Sequence, residues 1–138
     1  MTVAVVTDRN GTPLGFAADG ADVSEVWLAE PAVRAVEVRV PWGTPLLADK
    51  GYDSDDLRDE LSGHGYALLA RHRKNRVKAS RNDGRRLRRL KRRWRVERTN
   101  AWLKGYRRAG VRYEVYPHLH EGFITLAFAF IALNRLLK

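Results

Sequence analysis

Cysteine is absent from this sequence of 138 residues, and so is any long uninterrupted apolar run. Without cysteine there are no disulfide bonds and no thiolate zinc sites, so a reducing cytoplasm is the natural compartment. The longest apolar stretch, residues 123–133, contains Thr125 and is too short to cross a bilayer, which takes about 20 residues. Met1 is not followed by a charged and then an apolar segment, so no secretory signal is visible. We therefore expect neither a membrane protein nor a secreted one.

Negative charge is scarce in the second half of the chain. Residues 62–138 contain 21 Lys and Arg against 4 Asp and Glu, whereas residues 1–61 contain 5 against 12. The formal net charge is +10 and the isoelectric point is about 10.5. A strongly basic half indicates a polyanionic partner, and an acidic half offers carboxylates that suit divalent cations.

Four short apolar segments predict strands. Residues 2–7 and 12–17 flank the pair Asn10-Gly11, which is typical of a β-hairpin turn. Residues 46–48 and 66–70 are the other two, and they are separated by a helical pattern for which Ser54 is the expected N-cap. With helices between and after these strands, the order of elements predicts an α/β protein with a mixed sheet.

The rest of the chain is basic and then apolar. Residues 71–84 lack apolar periodicity, which predicts a basic loop. Residues 85–108 have a helical pattern, although eight of the eleven residues 85–95 are basic, and they predict one long basic helix. Residues 119–137 are apolar on nearly every side, which is typical of a buried C-terminal helix.

A single carboxylate, Glu97, interrupts the long basic helix. Four apolar residues recur on one stripe that we expect to face the core: Leu87, Leu90, Trp94 and Ala101. Glu97 falls at the border of that stripe, on the same edge as Arg93 and Lys104. Glu97 is then either a metal ligand beside a bound phosphodiester or simply a surface partner of Arg93 at i−4.

Asp49 is the second candidate, because it follows the apolar run 46–48. The carboxyl ends of strands are where open α/β sheets place their sites, although the same position suits an ordinary turn residue before Gly51. We expect the nearby acids Asp53, Asp55 and Asp56 to begin the next helix, where the helix dipole favours negative charge.

Two such carboxylates among many arginines suggest one type of chemistry. Cleavage or transfer of a phosphodiester needs an activated oxygen nucleophile and a stabilised leaving oxygen, and two divalent cations about 3.5–4 Å apart serve both. Carboxylate oxygens are hard ligands that suit Mg²⁺ or Mn²⁺. Surrounding arginines and lysines would hold DNA phosphates without specifying sequence.

Two segments resemble those of insertion-sequence DDE transposases. Residues 47–54 (LADKGYDS) resemble the segment around the second catalytic Asp of that family, and residues 92–104 (RRWRVERTNAWLK) resemble the segment with its catalytic Glu. The family signature is Tyr-x2-Arg-x3-Glu-x6-Lys; Arg93, Glu97 and Lys104 fit it, but Leu90 stands at the Tyr position. Residues 8–14 and 120–127 resemble flanking segments of the family.

The resemblance covers nearly the whole chain and implies an RNase H-like fold that is incomplete at its N-terminus. It assigns Asp49 and Glu97 as catalytic residues and metal ligands, with Mg²⁺ or Mn²⁺ as the cofactor. The first catalytic Asp of the family lies upstream of the matching region, and Asp8 does not take that role. The resemblance thus implies a truncated or split-frame transposase that is inactive as this isolated chain.

The expected partners are transposon-end and target DNA, the missing N-terminal part of the transposase and a second copy of the chain in a DNA complex. The implied location is the bacterial cytoplasm, in association with the nucleoid. The expected DNA-binding residues are all basic: Arg85, Arg86, Arg88, Arg89, Arg92, Arg93, Arg95 and Lys104.

Two other interpretations remain open from the sequence. One is a basic nucleic-acid-binding module without catalysis, which would tolerate loss of Asp49 and Glu97. The other is a structural protein that pairs its acidic and basic halves across a homodimer.

Overall fold

The computed structural model describes every residue from Met1 to Lys138 and shows a mixed α/β structure. The chain forms two compact units, one made of Met1–Glu37 with Trp94–Lys138 and the other of Val38–Arg93. We call the first the hairpin unit and the second the crossover unit, after the connections between their strands. The predicted α/β class is confirmed.

The hairpin unit contains one antiparallel strand pair and four helices. Its elements are β1 (Thr2–Thr7), β2 (Pro13–Asp19), α1 (Glu25–Arg34), α4 (Trp94–Gly105), α5 (Arg107–Gly110) and α6 (Pro117–Leu136). The predicted hairpin is confirmed: the Asp8 carboxylate accepts hydrogen bonds from the backbone of Asn10 and Thr12, at 2.7 and 2.8 Å. Gly11 alone supplies a positive φ in this turn, at +82°.

Alternate residues of β1 pack into two different apolar cores, because successive side chains of a strand point to opposite faces. Val3 and Val5 pack against a core contributed by α4, α5 and α6, and Phe16 of β2 meets Phe128 of α6 edge-on at 5.4 Å. Ala4 packs on the opposite side, in a smaller core under α1. Helices therefore cover both faces of the hairpin.

The C-terminal helix α6 is buried on one face only. Its buried residues are His120, Ile124, Ala127, Phe128 and Ile131, whereas Leu126, Phe130 and Leu133 are each about half exposed. The prediction of a helix buried on nearly every side is therefore wrong, because its neighbours in the unit contact a single face. By length and composition alone this helix is also long and apolar enough to span a membrane, with a mean hydropathy of 1.2.

The crossover unit contains a parallel strand pair joined through a helix. Its elements are β3 (Thr44–Leu47), α2 (Asp55–Gly63), β4 (Tyr66–Leu69) and the short helix α3 (Gly84–Leu87). Ser54 caps α2 as predicted, because its hydroxyl accepts a hydrogen bond from the Leu57 backbone at 3.3 Å. Gly65 ends the connection at φ +85°, and a side chain there would lie within 2.7 Å of the Trp42 ring.

The predicted basic helix 85–108 is not continuous. Gly84–Leu87 and Trp94–Gly105 are α-helical, and Arg88–Arg92 between them forms a 3-10 helix. The separate short helix α5 begins at Arg107. No residue of Gly84–Arg92 is buried, so this segment lacks the tertiary packing from which most helices in proteins gain their stability. The expected buried stripe is also wrong, because Trp94 is 50% exposed and Ala101 is exposed.

The four strands form two separate pairs and not one mixed sheet. The pair β1–β2 is antiparallel and the pair β3–β4 is parallel, and no strand belongs to both. Each pair needs only a local connection, a tight turn or the α2 crossover. No hydrogen-bonded ladder joins the two pairs, so the predicted mixed sheet is not formed within these residues.

Candidate functional site

Asp49 lies just beyond the carboxyl end of β3, where the sequence placed it. The parallel ladder extends one residue past the strand, since the Ala48 backbone donates to the Leu69 carbonyl at 3.0 Å. The Asp49 carboxylate then accepts a hydrogen bond from the Lys50 backbone at 2.7 Å and caps the 3-10 turn Lys50–Tyr52. Its side chain is 56% exposed, and one oxygen is 3.6 Å from an Arg93 nitrogen. Asp49 is thus an accessible carboxylate beside a cation.

Asp53, at the other end of the same turn, is the centre of a buried ionic cluster. Its side chain is only 3% exposed, and it accepts hydrogen bonds from Arg58 at 2.7 Å and from the Arg73 backbone at 2.8 Å. The ring of His72 lies 2.9 Å from the same carboxylate. Sequence reasoning assigned Asp53 to the start of α2 and missed this role. The available signal was Arg58, a charged residue between Leu57 and Leu61 on the buried side of α2.

Burial by itself raises the pKa of the Asp53 carboxyl. This effect is outweighed by hydrogen bonds from the Arg73 backbone, Arg58 and His72 and by the positive charge of Arg58, which together lower the pKa to about 2. For Asp55, the hydrogen bond from Arg76 is the largest of the causes that lower its pKa. Both carboxylates are therefore ionised across the physiological range.

Asp53 should make the stability of the crossover unit sensitive to acid. A pKa of about 2, below the unfolded value of 3.8, corresponds to roughly 2 kcal/mol of unfolding free energy. Because the folded pKa is depressed, this contribution is present above about pH 4 and is lost as the pH falls towards 2. We expect Asp53→Asn to lower the free energy of unfolding by about this amount at pH 7, and by much less at pH 2. Urea unfolding at several pH values measures the difference, and an equal effect at both pH values would contradict it.

Several arginines of the basic loop 71–84 are held by acidic residues of the same unit. Arg76 binds Asp55 at 3.0 Å and is 12% exposed, and Arg81 binds Asp59 at 2.7 Å. These cations stabilise the loop on α2 and are neutralised there. The loop is therefore less available to a polyanion than its composition indicates.

Unlike Arg76 of the basic loop, the predicted DNA-binding arginines of residues 84–92 are all exposed: Arg85, Arg86, Arg88, Arg89 and Arg92. Arg93 is partly buried and lies beside Asp49. This exposed group of like charges in a short segment is the part of the crossover unit best suited to phosphate groups.

Glu97 and Lys104 are both exposed residues of α4, in the hairpin unit. Seven residues apart, they share one face of that helix. Arg93 directly precedes α4 and belongs to the crossover unit, so only Glu97 and Lys104 of the three predicted residues lie within that helix. The structure places Asp49 next to Arg93, whereas Glu97 and Lys104 lie about two turns apart on α4.

The start of α4 is fastened to the hairpin turn. Arg98 donates to the Asn10 carbonyl at 2.7 Å, Thr99 donates to the Gly11 carbonyl at 2.5 Å, and Arg95 donates to the Arg9 carbonyl. The Arg98 guanidinium also lies over the rings of Trp94 and Trp102, at 4.9 and 4.8 Å. These contacts fix the segment that contains Glu97, and they engage Arg95, one of the predicted DNA-binding residues.

Carboxylate oxygens are suitable ligands for a divalent cation, but too few of them lie together here to form a complete metal site. No group of three or more His, Asp or Glu side chains in the chain is placed to hold a metal ion. Asp49 is accessible and offers hard oxygen atoms, which Mg²⁺ prefers. Asp49 can therefore supply oxygen ligands to a divalent cation, but it does not form a metal site by itself.

The crossover unit thus has an exposed strand-end carboxylate beside one arginine and, in addition, five exposed arginines. Such exposed positive charge is typical of proteins that bind nucleic-acid phosphates. Comparison with known proteins specifies the class. The family described as "Transposase DDE domain" matches residues 1–134. The chain is 36% identical over 139 aligned positions to a Burkholderia cepacia protein named "Putative transposase for insertion sequence element IS402".

The chain therefore belongs to the DDE transposase family of insertion sequences. The alignment covers 96% of this chain and 62% of the relative, so the chain spans about three fifths of the relative's length. No solved structure matches.

Proposed function

We propose that this chain is the C-terminal part of a DDE transposase that cleaves phosphodiester bonds and transfers DNA strands with divalent metal ions. The observation that carries the proposal is Asp49, an accessible carboxylate at a strand end with Arg93 beside it. The family match over residues 1–134 supports the assignment.

In this proposal Asp49 and Glu97 are catalytic residues and ligands of Mg²⁺ or Mn²⁺. The metal ions would activate the attacking oxygen and stabilise the leaving one. Both residues fit the family's motifs, but they belong to separate compact units, so their joint role rests on the family match. We further propose that another segment supplies the first catalytic Asp, because neither of the two matching motifs in this chain contains that residue.

We propose that the complete catalytic domain has an RNase H-like fold. The two strand pairs, one antiparallel and one parallel, are consistent with a larger mixed sheet that lacks a connecting strand. The chain's coverage of 62% of its relative leaves room for such a strand in the longer protein.

The proposed partners are transposon-end and target DNA, the N-terminal part of the transposase and a second copy of the chain in the DNA complex. DNA phosphates would bind the exposed arginines described above, together with Arg93, Arg95 and Lys104. The protein would act in the bacterial cytoplasm, on the nucleoid.

A second candidate is a non-catalytic nucleic-acid-binding module. The exposed arginines of residues 85–92 favour it, because binding of phosphate groups needs no metal ligand. The two differ at Asp49 and Glu97, which a binding module does not need.

The DNA-binding part of the proposal predicts a steep dependence on salt. For duplex DNA, the slope of log affinity against log salt is about −0.9 for each phosphate that is neutralised. Replacing Arg85, Arg86, Arg88 and Arg89 with alanine should therefore make the slope shallower by up to about 3.6, and weaken binding similarly for unrelated sequences. Fluorescence anisotropy between low and high salt measures the slope.

The matched control removes four positive charges elsewhere. Arg34, Arg39, Arg107 and Lys138 are all exposed, and none belongs to the 84–92 segment. Their replacement with alanine changes net charge equally but should change the slope much less. Equal slopes for the two quadruple variants would show that net charge, and not this surface, binds DNA.

A further inference from the structure

One guanidinium group holds the turn that follows Asp49. Arg73 donates from Nε to the Lys50 carbonyl at 3.3 Å and from Nη2 to the Gly51 carbonyl at 2.6 Å. Both carbonyls belong to the 3-10 turn that the Asp49 side chain caps. A guanidinium presents its donors in a rigid plane, so two simultaneous hydrogen bonds restrict both the position and the orientation of the turn.

Arg73 is itself anchored at the far end of the same turn. Its backbone N–H donates to the Asp53 carboxylate at 2.8 Å, and the preceding residue, His72, contacts the same carboxylate. Asp53 is fixed in turn by buried Arg58. The side chain of Arg73 thus bridges from a rigid cluster back to the residues next to Asp49.

Asp49 depends on such support, because its own side chain is exposed. Its hydrogen bond within the turn is to the adjacent Lys50 backbone, so the direction of the carboxylate follows the backbone of the turn. A metal ligand must be held within roughly 0.5 Å of its productive position by the groups around it.

We propose that Arg73 is a positioning residue for Asp49, and that its function is to fix the 3-10 turn rather than to bind DNA phosphate. This rests on the proposed function, in which Asp49 is a metal ligand. Composition alone would count Arg73 among the phosphate-binding cations of the basic loop. Its donors are instead directed at two backbone carbonyls.

Amide hydrogen exchange in the 138-residue chain tests this role without metal or DNA. The informative amides are those of Tyr52 and Asp53, which donate to the Asp49 and Lys50 carbonyls at 3.0 and 3.2 Å. In Arg73→Ala and in Arg73→Lys we expect these amides to exchange about tenfold faster, with the amides of α2 and the melting temperature unchanged. Lysine preserves the charge but not the planar pair of donors, so it should not rescue the turn.

The matched control is Lys74→Ala, which removes the adjacent exposed cation and should leave exchange in the turn as it is in the wild-type chain. A second readout is the broadening of the Asp49 amide signal by Mn²⁺. Both Arg73 variants should need several times more Mn²⁺ for the same broadening, and Lys74→Ala should not.

The outcomes separate this proposal from the proposed function. If Mn²⁺ leaves the Asp49 signal of the wild-type chain unchanged, the metal-ligand role fails, while hydrogen exchange still reports on the turn. Unchanged exchange in both Arg73 variants would overturn the positioning role. A uniform rise in exchange throughout the crossover unit would also overturn it, because Arg73 would then contribute only general stability.

Discussion

Joined to the part of the IS402 relative that lies outside the match, the chain is expected to transfer DNA strands. Asp49→Ala or Glu97→Ala should then abolish the reaction. Loss of either carboxylate removes a proposed metal ligand from the reacting centre. We expect a rate lower by at least about a thousandfold, because groups that act as a unit in catalysis are not replaced by their neighbours. The measurement is strand transfer in Mg²⁺ or Mn²⁺ with DNA that carries the element's ends.

Two controls accompany this experiment. The 138-residue chain alone should show little or no strand transfer, since in the proposal it supplies only two of the three metal ligands. Asp56→Ala removes a nearby exposed acid at the start of α2 and should leave the rate nearly unchanged. Robust activity of the isolated chain that disappears in Asp49→Ala would contradict the proposed incompleteness. Normal activity of Glu97→Ala in the joined protein would remove Glu97 from the site.

The second large effect concerns stability. Arg58→Ala should lower the free energy of unfolding of the crossover unit by about 3–5 kcal/mol, because it leaves buried Asp53 without its closest cationic partner. Arg58 also donates to the Ala70 carbonyl at 3.1 Å, so its loss leaves a backbone acceptor without that bond. Chemical denaturation followed by circular dichroism measures the change.

Arg86→Ala is the matched control, since Arg86 is an exposed arginine of the same unit and should change stability by less than about 0.5 kcal/mol. The double variant Arg58→Met with Asp53→Asn should recover part of the loss, because it leaves no unpaired buried charge. If Arg58→Ala unfolds at the same denaturant concentration as Arg86→Ala, the buried cluster does not stabilise the unit.

The candidate site could be predicted only as far as local motifs reach. Asp49 was placed correctly at a strand end because a short apolar run followed by an acid is a local pattern. Asp53 was misjudged, because its partners Arg58 and His72 are brought to it by the fold. In the sequence Asp53 looks like an ordinary acid at a helix start, and the one indication of a buried ion pair is the position of Arg58 between Leu57 and Leu61.

The secondary structure of the basic segment 85–108 also could not be predicted fully from local patterns. Apolar spacing predicts one helix across residues 85–108, but Arg88–Arg92 takes a 3-10 form in a segment where no residue is buried. The spacing of apolar residues does not show whether a packing partner for them is present, and a short helix without one is only marginally stable. Trp94 accordingly stacks with Arg98 and is half exposed instead of entering the core.

The sequence by itself determined the α/β class, the hairpin, the family and the two candidate carboxylates, because each depends on residue types at short spacings. Only the tertiary structure decided which cations are available to a partner. Arg73, Arg76 and Arg81 look equivalent to Arg85 and Arg86 in the sequence, yet the first three bind carbonyls and carboxylates of their own unit. Burial and pairing of charges arise from contacts between distant residues, so they exist only once the chain has folded.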